Sequence, residues 1–186
     1  MTCQAAAGGA ATREIDAPAR ILEYPRMLIR PAQLIDASGI WQVLEPTIRA
    51  GETYALPQEM TQQDALAYWF SPGNQVFVAE QAGTLVGTYA LRANQAGGGS
   101  HVANAAFFVA PAATGRGIAQ AMCEHALEKA RADGFTAMQF NFVVSSNERA
   151  VGLWKRLGFQ IVGKLPKAFR HPSLGLVDAL VLHREL

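Results

Sequence analysis

The sequence contains only two cysteines, almost no net charge and no membrane-length apolar segment. Cys3 and Cys123 alone, among 186 residues, give no indication of a disulfide framework. A net charge of +1 at pH 7 provides no electrostatic attraction for nucleic acid or an anionic membrane surface. No apolar stretch approaches the roughly 18–20 residues needed to span a bilayer. We therefore expect no nucleic-acid partner and no membrane partner, and the cytoplasm is the default location.

Half of the residues are hydrophobic, which predicts a globular chain with a sizeable core. The first 25 residues differ from the rest because they are rich in alanine and glycine. They contain no apolar signal core, and the acids Glu14, Asp16 and Glu23 argue against a transit peptide. We interpret residues 1–25 as a flexible N-terminal extension and residues 26–186 as a single domain.

Apolar periodicity and the positions of proline and glycine predict an α/β fold. Helices are predicted at residues 36–50 (interrupted near Pro46), 61–70, 117–133 and 147–157. Strands are predicted at residues 27–30, 76–80, 85–91, 101–109, 136–144, 159–162 and 176–184, with His171 in the loop between the last two. This order predicts a mixed sheet with helices on both faces.

The turn between the strand at residues 101–109 and the next helix is the most informative segment. Pro111 ends the strand, and Gly115 and Gly117 precede the helix. Such a turn directs backbone N–H groups toward a ligand at the positive end of the helix dipole. Glycine suits it because a side chain would hold a diphosphate away from the backbone, and Arg116 adds positive charge. The segment predicts a phosphate-binding site that has neither the P-loop Lys-Ser/Thr nor the G-x-G-x-x-G fingerprint.

A second motif, Asn147-x-x-Ala150-x-x-x-Trp154-x-x-x-Gly158-Phe159, follows one helix and one strand later. Together with Thr114-Gly115-Arg116-Gly117-Ile118-Ala119 it resembles the GNAT superfamily of acetyl-CoA-dependent N-acetyltransferases. The family pattern is Gln/Arg-x-x-Gly-x-Gly/Ala, so Thr114 departs from it. The resemblance implies the GNAT fold, a mixed central sheet of six to seven strands with splayed middle strands and helices on both faces. Members of this superfamily are often dimers, so a homodimer is a candidate state.

The resemblance also implies which residues contact acetyl-CoA, and it implies no metal. Main-chain groups of the strand end would pair with the pantetheine arm, amides of the turn would hold the diphosphate, and an asparagine would lie near the thiol. These residues are Phe107, Phe108 and Val109; Gly115, Arg116, Gly117, Ala119 and Gln120; and Asn147. Many relatives have a tyrosine at the Trp154 position that protonates the thiolate, and an indole N–H is not a usable acid. Another group or solvent would then protonate CoA, or the thiolate would leave with hydrogen-bond help from Asn147.

A narrower resemblance extends over roughly residues 48–186, in segments at 49–54, 68–70, 86–89, 100–107, 140–147 and 177–179. These segments resemble the fungal acetyltransferases that detoxify proline analogues such as azetidine-2-carboxylate. That resemblance implies that Asn104 and Asn141 line the acceptor pocket and that Asn104 and Asn147 act in catalysis. The residue pattern agrees, since a carboxamide buried in an apolar strand must be paired. Two satisfied core asparagines are the alternative interpretation.

The general base stays open in the sequence. An amide cannot deprotonate an amine, so Asn104 can only orient it. The candidate bases are His101, Glu52 and Glu80, acting directly or through water. Glu52 and Tyr54 lie in the loop between the first two helices, which commonly shapes the acceptor site in this superfamily. Cys123 is interpreted as a packing residue and not as a nucleophile.

These patterns predict an acetyl-CoA-dependent N-acetyltransferase that moves an acetyl group directly to the amine of a small molecule. An amino acid or a toxic proline-like analogue is the expected acceptor. Two alternatives stay open: an enzyme that acetylates a protein N-terminus or lysine side chain, and a catalytically silent acyl-CoA-binding sensor.

Overall fold

The computed structural model describes residues 27–186, so the predicted extension at 1–25 and its Cys3 lie outside the described part. The helices are Ala37–Ala50 (α1), Gln62–Trp69 (α2), Ile118–Ala132 (α3) and Glu148–Arg156 (α4). The strands are Leu28–Pro31 (β1), Gln75–Gln81 (β2), Thr84–Ala93 (β3), Val102–Val109 (β4), Ala137–Val144 (β5), Gln160–His171 (β6) and Gly175–Glu185 (β7). They form one mixed sheet in the order β1-β2-β3-β4-β5-β7-β6. The predicted α/β fold is confirmed.

Helices cover both faces of the sheet because successive side chains of a strand point to opposite faces. On β3, Tyr89 and Leu91 enter the core formed with α3, which includes Met122. Ala90, between them, enters the second core with Ile40 of α1. No helix within residues 27–186 is long and apolar enough to cross a membrane.

The two central parallel strands, β4 and β5, pair over a very short distance. Only Val102 with Ala137 and Ala103 with Met138 are in register, although each strand continues for several residues. Beyond these pairs the strands diverge, and a gap opens toward their carboxyl ends. The splay expected from the family resemblance is confirmed, and this gap positions the functional site.

The predicted interruption of the first helix at Pro46 is wrong, since α1 continues through it to Ala50. A proline inside a helix removes one backbone hydrogen bond. Here the apolar face of α1, including Ile40 and Ile48, is fully buried against the sheet, and this packing keeps the helix continuous.

The predicted end of the sixth strand is also wrong, because β6 extends to His171, which pairs with Gly175 of β7. The added length includes Pro166, a residue that interrupts the hydrogen-bond ladder of a central strand. β6 lies at the edge of the sheet, and its register shifts between Leu165 and Phe169. Edge strands and bulges tolerate proline since no ladder hydrogen bond is needed there.

A buried hydrogen-bond chain attaches α2 to the sheet. The Trp69 Nε1–H donates to Thr88 Oγ1 at 3.0 Å, and the Thr88 hydroxyl donates to the Phe77 carbonyl at 2.8 Å. Thr88 is completely buried. This chain fixes the end of α2, whose neighbouring residue Tyr68 lines the cleft described below.

Replacing Thr88 with valine keeps the side-chain shape but leaves the buried indole N–H without its partner. We expect Thr88→Val to lower the free energy of unfolding by about 1–3 kcal/mol, measured by urea denaturation. Thr84→Val, at an exposed position of the same strand, is the matched control and should change it by less than about 0.5 kcal/mol. Equal effects of the two substitutions would contradict this role for the hydroxyl.

Candidate functional site

A cleft of about 680 Å³ occupies the gap between β4 and β5. Residues 104–109 of β4 and 140–144 of β5 form two of its walls. The other walls come from the loop between α1 and α2, the turn that leads into α3, and one side of α4. The cleft therefore joins the two motifs that the sequence separates by a helix and a strand.

Hydrogen bonds at both ends of β4 show which of its residues have main-chain groups facing the gap. The Ala110 N–H donates to the Val86 carbonyl, and the Asn94 N–H donates to the Val102 carbonyl. Main-chain groups alternate in direction along an antiparallel pair. Every second residue of β4, counted from Val102 to Ala110, therefore directs its main-chain N–H and C=O groups toward β3. The residues between them direct these groups into the gap.

By this alternation Phe107 and Val109 direct their N–H and C=O groups into the gap, as the pantetheine prediction requires. The same prediction for Phe108 is wrong because its main chain pairs with Thr88 of β3. Its side chain is instead buried in the core under α1 and α2. Val109 thus offers the open main-chain groups nearest the turn into α3.

Tyr54 occupies the main-chain groups of Phe107. Its hydroxyl donates to the Phe107 carbonyl at 2.7 Å and accepts from the Phe107 N–H at 3.0 Å. Its ring stacks on Phe108 with centroids 4.1 Å apart. Burial raises the pKa of the Tyr54 hydroxyl well above its usual range, so the group stays neutral. Tyr54 lines the cleft, as expected, but a ligand pairing with Phe107 must displace this hydroxyl.

The turn before α3 has the geometry of an anion site. Gly117 is the N-cap with φ +79°, and the first helical bond runs from the Ala121 N–H to the Gly117 carbonyl. The preceding amides, those of Ala119 and Gln120 among them, have no intrahelical acceptor. A Cβ added at Gly117 would meet no atom within 4 Å, so it would project into open space. Gly115, Gly117, Ala119 and Gln120, whose amides are expected to hold a diphosphate, all line the cleft.

The positive charge beside this turn comes from a different arginine than the sequence suggested. The Arg116 guanidinium turns away and donates to Gln81 Oε1 at 2.6 Å, and Arg116 does not line the cleft. Arg149 does, and its Nη2 would lie 3.3 Å from a Cβ built on Gly115. Arg149 is not among the residues predicted from the sequence, although its position two residues after Asn147 is a usable signal.

Asn147 and Trp154 lie where α4 faces the gap. Asn147 is the N-cap of α4, and its Oδ1 accepts from the Ala150 N–H at 3.2 Å. Its Nδ2 has no acceptor within residues 27–186 and is free to donate. Trp154 is buried, and its ring lies 5.3 Å from Phe107 and 5.1 Å from Phe140. Trp154 therefore forms an apolar floor between the two strands.

Asn104 spans the closed end of the gap, directly after the last registered pair of β4 and β5. Its Nδ2 donates to the Gln139 carbonyl at 2.8 Å, while its Oδ1 has no donor in the described part of the chain. Asn141 is exposed at the rim, so the expectation of two buried carboxamides is wrong for it. It donates to Asn94 Oδ1 at 2.6 Å and accepts from the Gln139 amide at 2.8 Å. The divergence of the strands leaves that side of β5 open to solvent.

None of the three candidate bases lines the cleft. Glu52 is exposed on its loop and does not line the cleft, whereas Tyr54 of the same loop does. Glu80 accepts from Arg30 at 3.1 Å, and His101 lies before the first residue of β4, opposite the open end. Among the described residues, the cleft lining includes three arginines, Arg92, Arg149 and Arg156, and no aspartate, glutamate, lysine or histidine. His171, expected at a pocket wall, is likewise absent from this lining.

Two other sequence expectations concern Cys123 and metals. Cys123 is fully buried in α3, and burial raises the pKa of its thiol to about 12. A thiol of this kind is not ionised near neutral pH and is not a nucleophile. Within residues 27–186 there is no cluster of three or more histidine, cysteine, aspartate or glutamate side chains suited to a metal.

Comparison with known proteins identifies this arrangement. Residues 41–159 match the model of the Acetyltransferase (GNAT) family. The N-acetyltransferase aca1 of Schizosaccharomyces pombe is 28% identical, with 72% of each chain covered. The structure of a GCN5-related N-acetyltransferase from Kribbella flavida is 41% identical, with a TM-score of 0.82 over 86% of this chain and 98% of that one. The fold is shared by yncA of Salmonella typhimurium, solved with acetyl-CoA, at 20% identity and a TM-score of 0.76 over 87% and 94% of the chains. The family match spans most of the chain and both motifs around the cleft, and the chain therefore belongs to the GNAT family of acetyltransferases.

Proposed function

We propose that this chain transfers the acetyl group of acetyl-CoA to the amine of a small amino acid or proline-like imino acid. The observation that carries the proposal is the gap between β4 and β5, which ends at the glycine turn before α3 and is crossed by Asn104 at its closed end. A long, thin ligand with a diphosphate fits that shape. The similarity to a fungal N-acetyltransferase and to a structure solved with acetyl-CoA supports the same activity.

The groups that line the gap follow one another in the same order as the parts of acetyl-CoA that they would bind. The outward main-chain groups of Val109 can pair with an extended pantetheine arm as an added strand would. The free amides of Ala119 and Gln120 can bind the diphosphate, with Arg149 as a nearby counter-charge. When bound, the cosubstrate supplies the thioester from which the acetyl group is taken.

In the reaction, the acceptor nitrogen bonds to the thioester carbonyl carbon, the C–S bond breaks, and the ammonium proton passes to water. Asn104 Oδ1 can accept from the amine N–H and orient its lone pair, since its Nδ2 is held by β5. Asn147 Nδ2 can donate to the departing sulfur. Trp154 excludes water from the floor of the gap and does not move a proton.

The walls of the acceptor end support a small molecule over a peptide. Strand pairing closes the gap at Asn104, and Tyr54, Leu56 and Tyr68 cover it from the side of α1 and α2. A protein acceptor would require a groove that continues past these side chains. A protein or peptide N-acetyltransferase and a silent acyl-CoA sensor are the outcomes that would replace the proposal.

The direct test is release of CoA thiol from acetyl-CoA by the purified protein. The acceptor panel contains azetidine-2-carboxylate, proline, free amino acids and peptides with free N-termini or lysines. We expect release with at least one small amino or imino acid and much slower release with every peptide. Faster turnover of a peptide would indicate the protein-acetylating activity, and acetyl-CoA binding without any release would indicate the sensor.

Gly117→Glu places a carboxylate where the diphosphate would bind. We expect the Kd for acetyl-CoA, measured by calorimetry, to rise by at least about 10-fold, as for loss of a charge-assisted hydrogen-bond set. Gly134→Glu is the matched control, since Gly134 also has positive φ, +85°, and open space around its Cβ, but lies at the far end of α3. Both variants carry a backbone strain of about 1–2 kcal/mol. Unchanged binding in Gly117→Glu would exclude the turn as the diphosphate site.

Asn104→Ala removes the carboxamide oxygen that would orient the acceptor. We expect kcat/KM for the acceptor to fall about 10- to 100-fold while the Kd for acetyl-CoA changes by less than about 2-fold. The melting temperature reports any loss of the bridge to β5. A parallel loss of acetyl-CoA binding and turnover would show that Asn104 acts only in the structure of the gap.

The pH dependence should follow the acceptor because no carboxylate or imidazole of the described chain lines the cleft. Below the amine pKa, kcat/KM should fall about tenfold per pH unit as the neutral fraction falls. The profile should shift when an acceptor of lower amine pKa is used. An acidic limb fixed at one pH for acceptors of different amine pKa would instead reveal a protein base.

A further inference from the structure

Arg92 is a cleft residue to which the mechanism above gives no role. It lies on β3 directly opposite Asn104 on β4. The two residues form one of the pairs whose main chains bond across the strands, with Cα atoms about 5.5 Å apart, and their side chains share a face. Both line the cleft. Arg92 therefore stands beside the group proposed to orient the amine.

Among the described residues, none provides a counter-charge to the guanidinium of Arg92. Within residues 27–186 it makes no salt bridge and no side-chain hydrogen bond, and no acidic residue lines the cleft. By contrast, Arg30, on the neighbouring part of the sheet, is neutralised by Asp36 and Glu80. An arginine without a carboxylate in a ligand cleft attracts an anion and repels a second cation.

Two of the three arginines that line the cleft lie at different places along it. Arg149 lies beside Gly115 at the diphosphate turn, and Arg92 lies beside Asn104 at the closed end. Binding of the diphosphate would therefore give a role to Arg149 and none to Arg92. The planar, five-donor guanidinium of arginine matches the geometry of a carboxylate.

We infer that Arg92 binds the carboxylate of the acceptor, so that the enzyme selects amino or imino acids over amines without a carboxylate. This inference rests on the proposed acetyl transfer. The carboxylate would lie on Arg92 of β3 and the amine on Asn104 of β4, so the two contacts together set the direction from which the nitrogen approaches. Lysine side chains and polyamines, which bring a cation without a nearby carboxylate, would be rejected by the same charge.

The test compares each acceptor with its own carboxamide, beginning with azetidine-2-carboxylate and azetidine-2-carboxamide. The wild-type enzyme should prefer the acid by about 10- to 100-fold in kcat/KM, the range expected for one charge-assisted pair. Arg92→Gln should raise KM for the acid and bring acid and carboxamide to within about 3-fold of each other. Arg92→Lys should restore part of the preference for the acid over the carboxamide, since lysine has the positive charge but not the planar, bidentate donor geometry of the guanidinium.

Arg170→Gln, an exposed arginine on β6 outside the cleft, is the matched control and should keep the wild-type ratio. The Kd for acetyl-CoA should stay unchanged in Arg92→Gln, which separates an acceptor effect from a general loss of folding. A wild-type enzyme that acetylates acid and carboxamide equally, or a ratio unaffected by Arg92→Gln, would overturn the inference and leave acetyl transfer intact. Absence of turnover with every small amine would overturn the proposed function and this inference together.

Discussion

The separation of β4 from β5 is the constraint on which the site depends. If the strands stayed paired beyond Ala103 and Met138, the outward main-chain groups of β4 would bond to β5 and no cleft would exist. An aromatic wedge keeps them apart: Trp154 of α4 packs between Phe107 on one strand and Phe140 on the other. Unpaired main-chain groups are costly when buried, so this edge requires water, ligand or side-chain partners.

The loop between α1 and α2 meets part of that requirement and also forms one wall of the cleft. Tyr54 satisfies both main-chain groups of Phe107, and its stacking on Phe108 anchors the loop to the core. Charged side chains are also distributed along the length of the cleft. With a net charge of only +1 over the whole chain, the cleft concentrates arginines, with Arg149 at the glycine turn before α3 and Arg92 at the closed end of the gap.

Local signals made much of the fold predictable from the sequence. The start of α2 after its N-cap Thr61 and the glycine turn at Gly117 depend on residues a few positions apart, and the helices predicted at 61–70 and 117–133 both occur. Features set by distant contacts were not predictable. The bond from Tyr54 joins residues 53 positions apart, and the choice of Arg149 over Arg116 depends on side-chain directions in the folded chain. Asn141 was expected to be buried because its strand is apolar, whereas exposure follows from strand divergence, which no local pattern encodes.

A crystal structure of the protein with acetyl-CoA would test the central claim most directly. We expect the pantetheine arm between β4 and β5, paired with Val109, and the diphosphate on the amides before α3. The thioester should lie toward Asn104, with the Tyr54 hydroxyl displaced from Phe107 wherever the arm pairs there. A cofactor bound outside this gap, with the Tyr54 contact and the glycine turn both unchanged, would contradict the account.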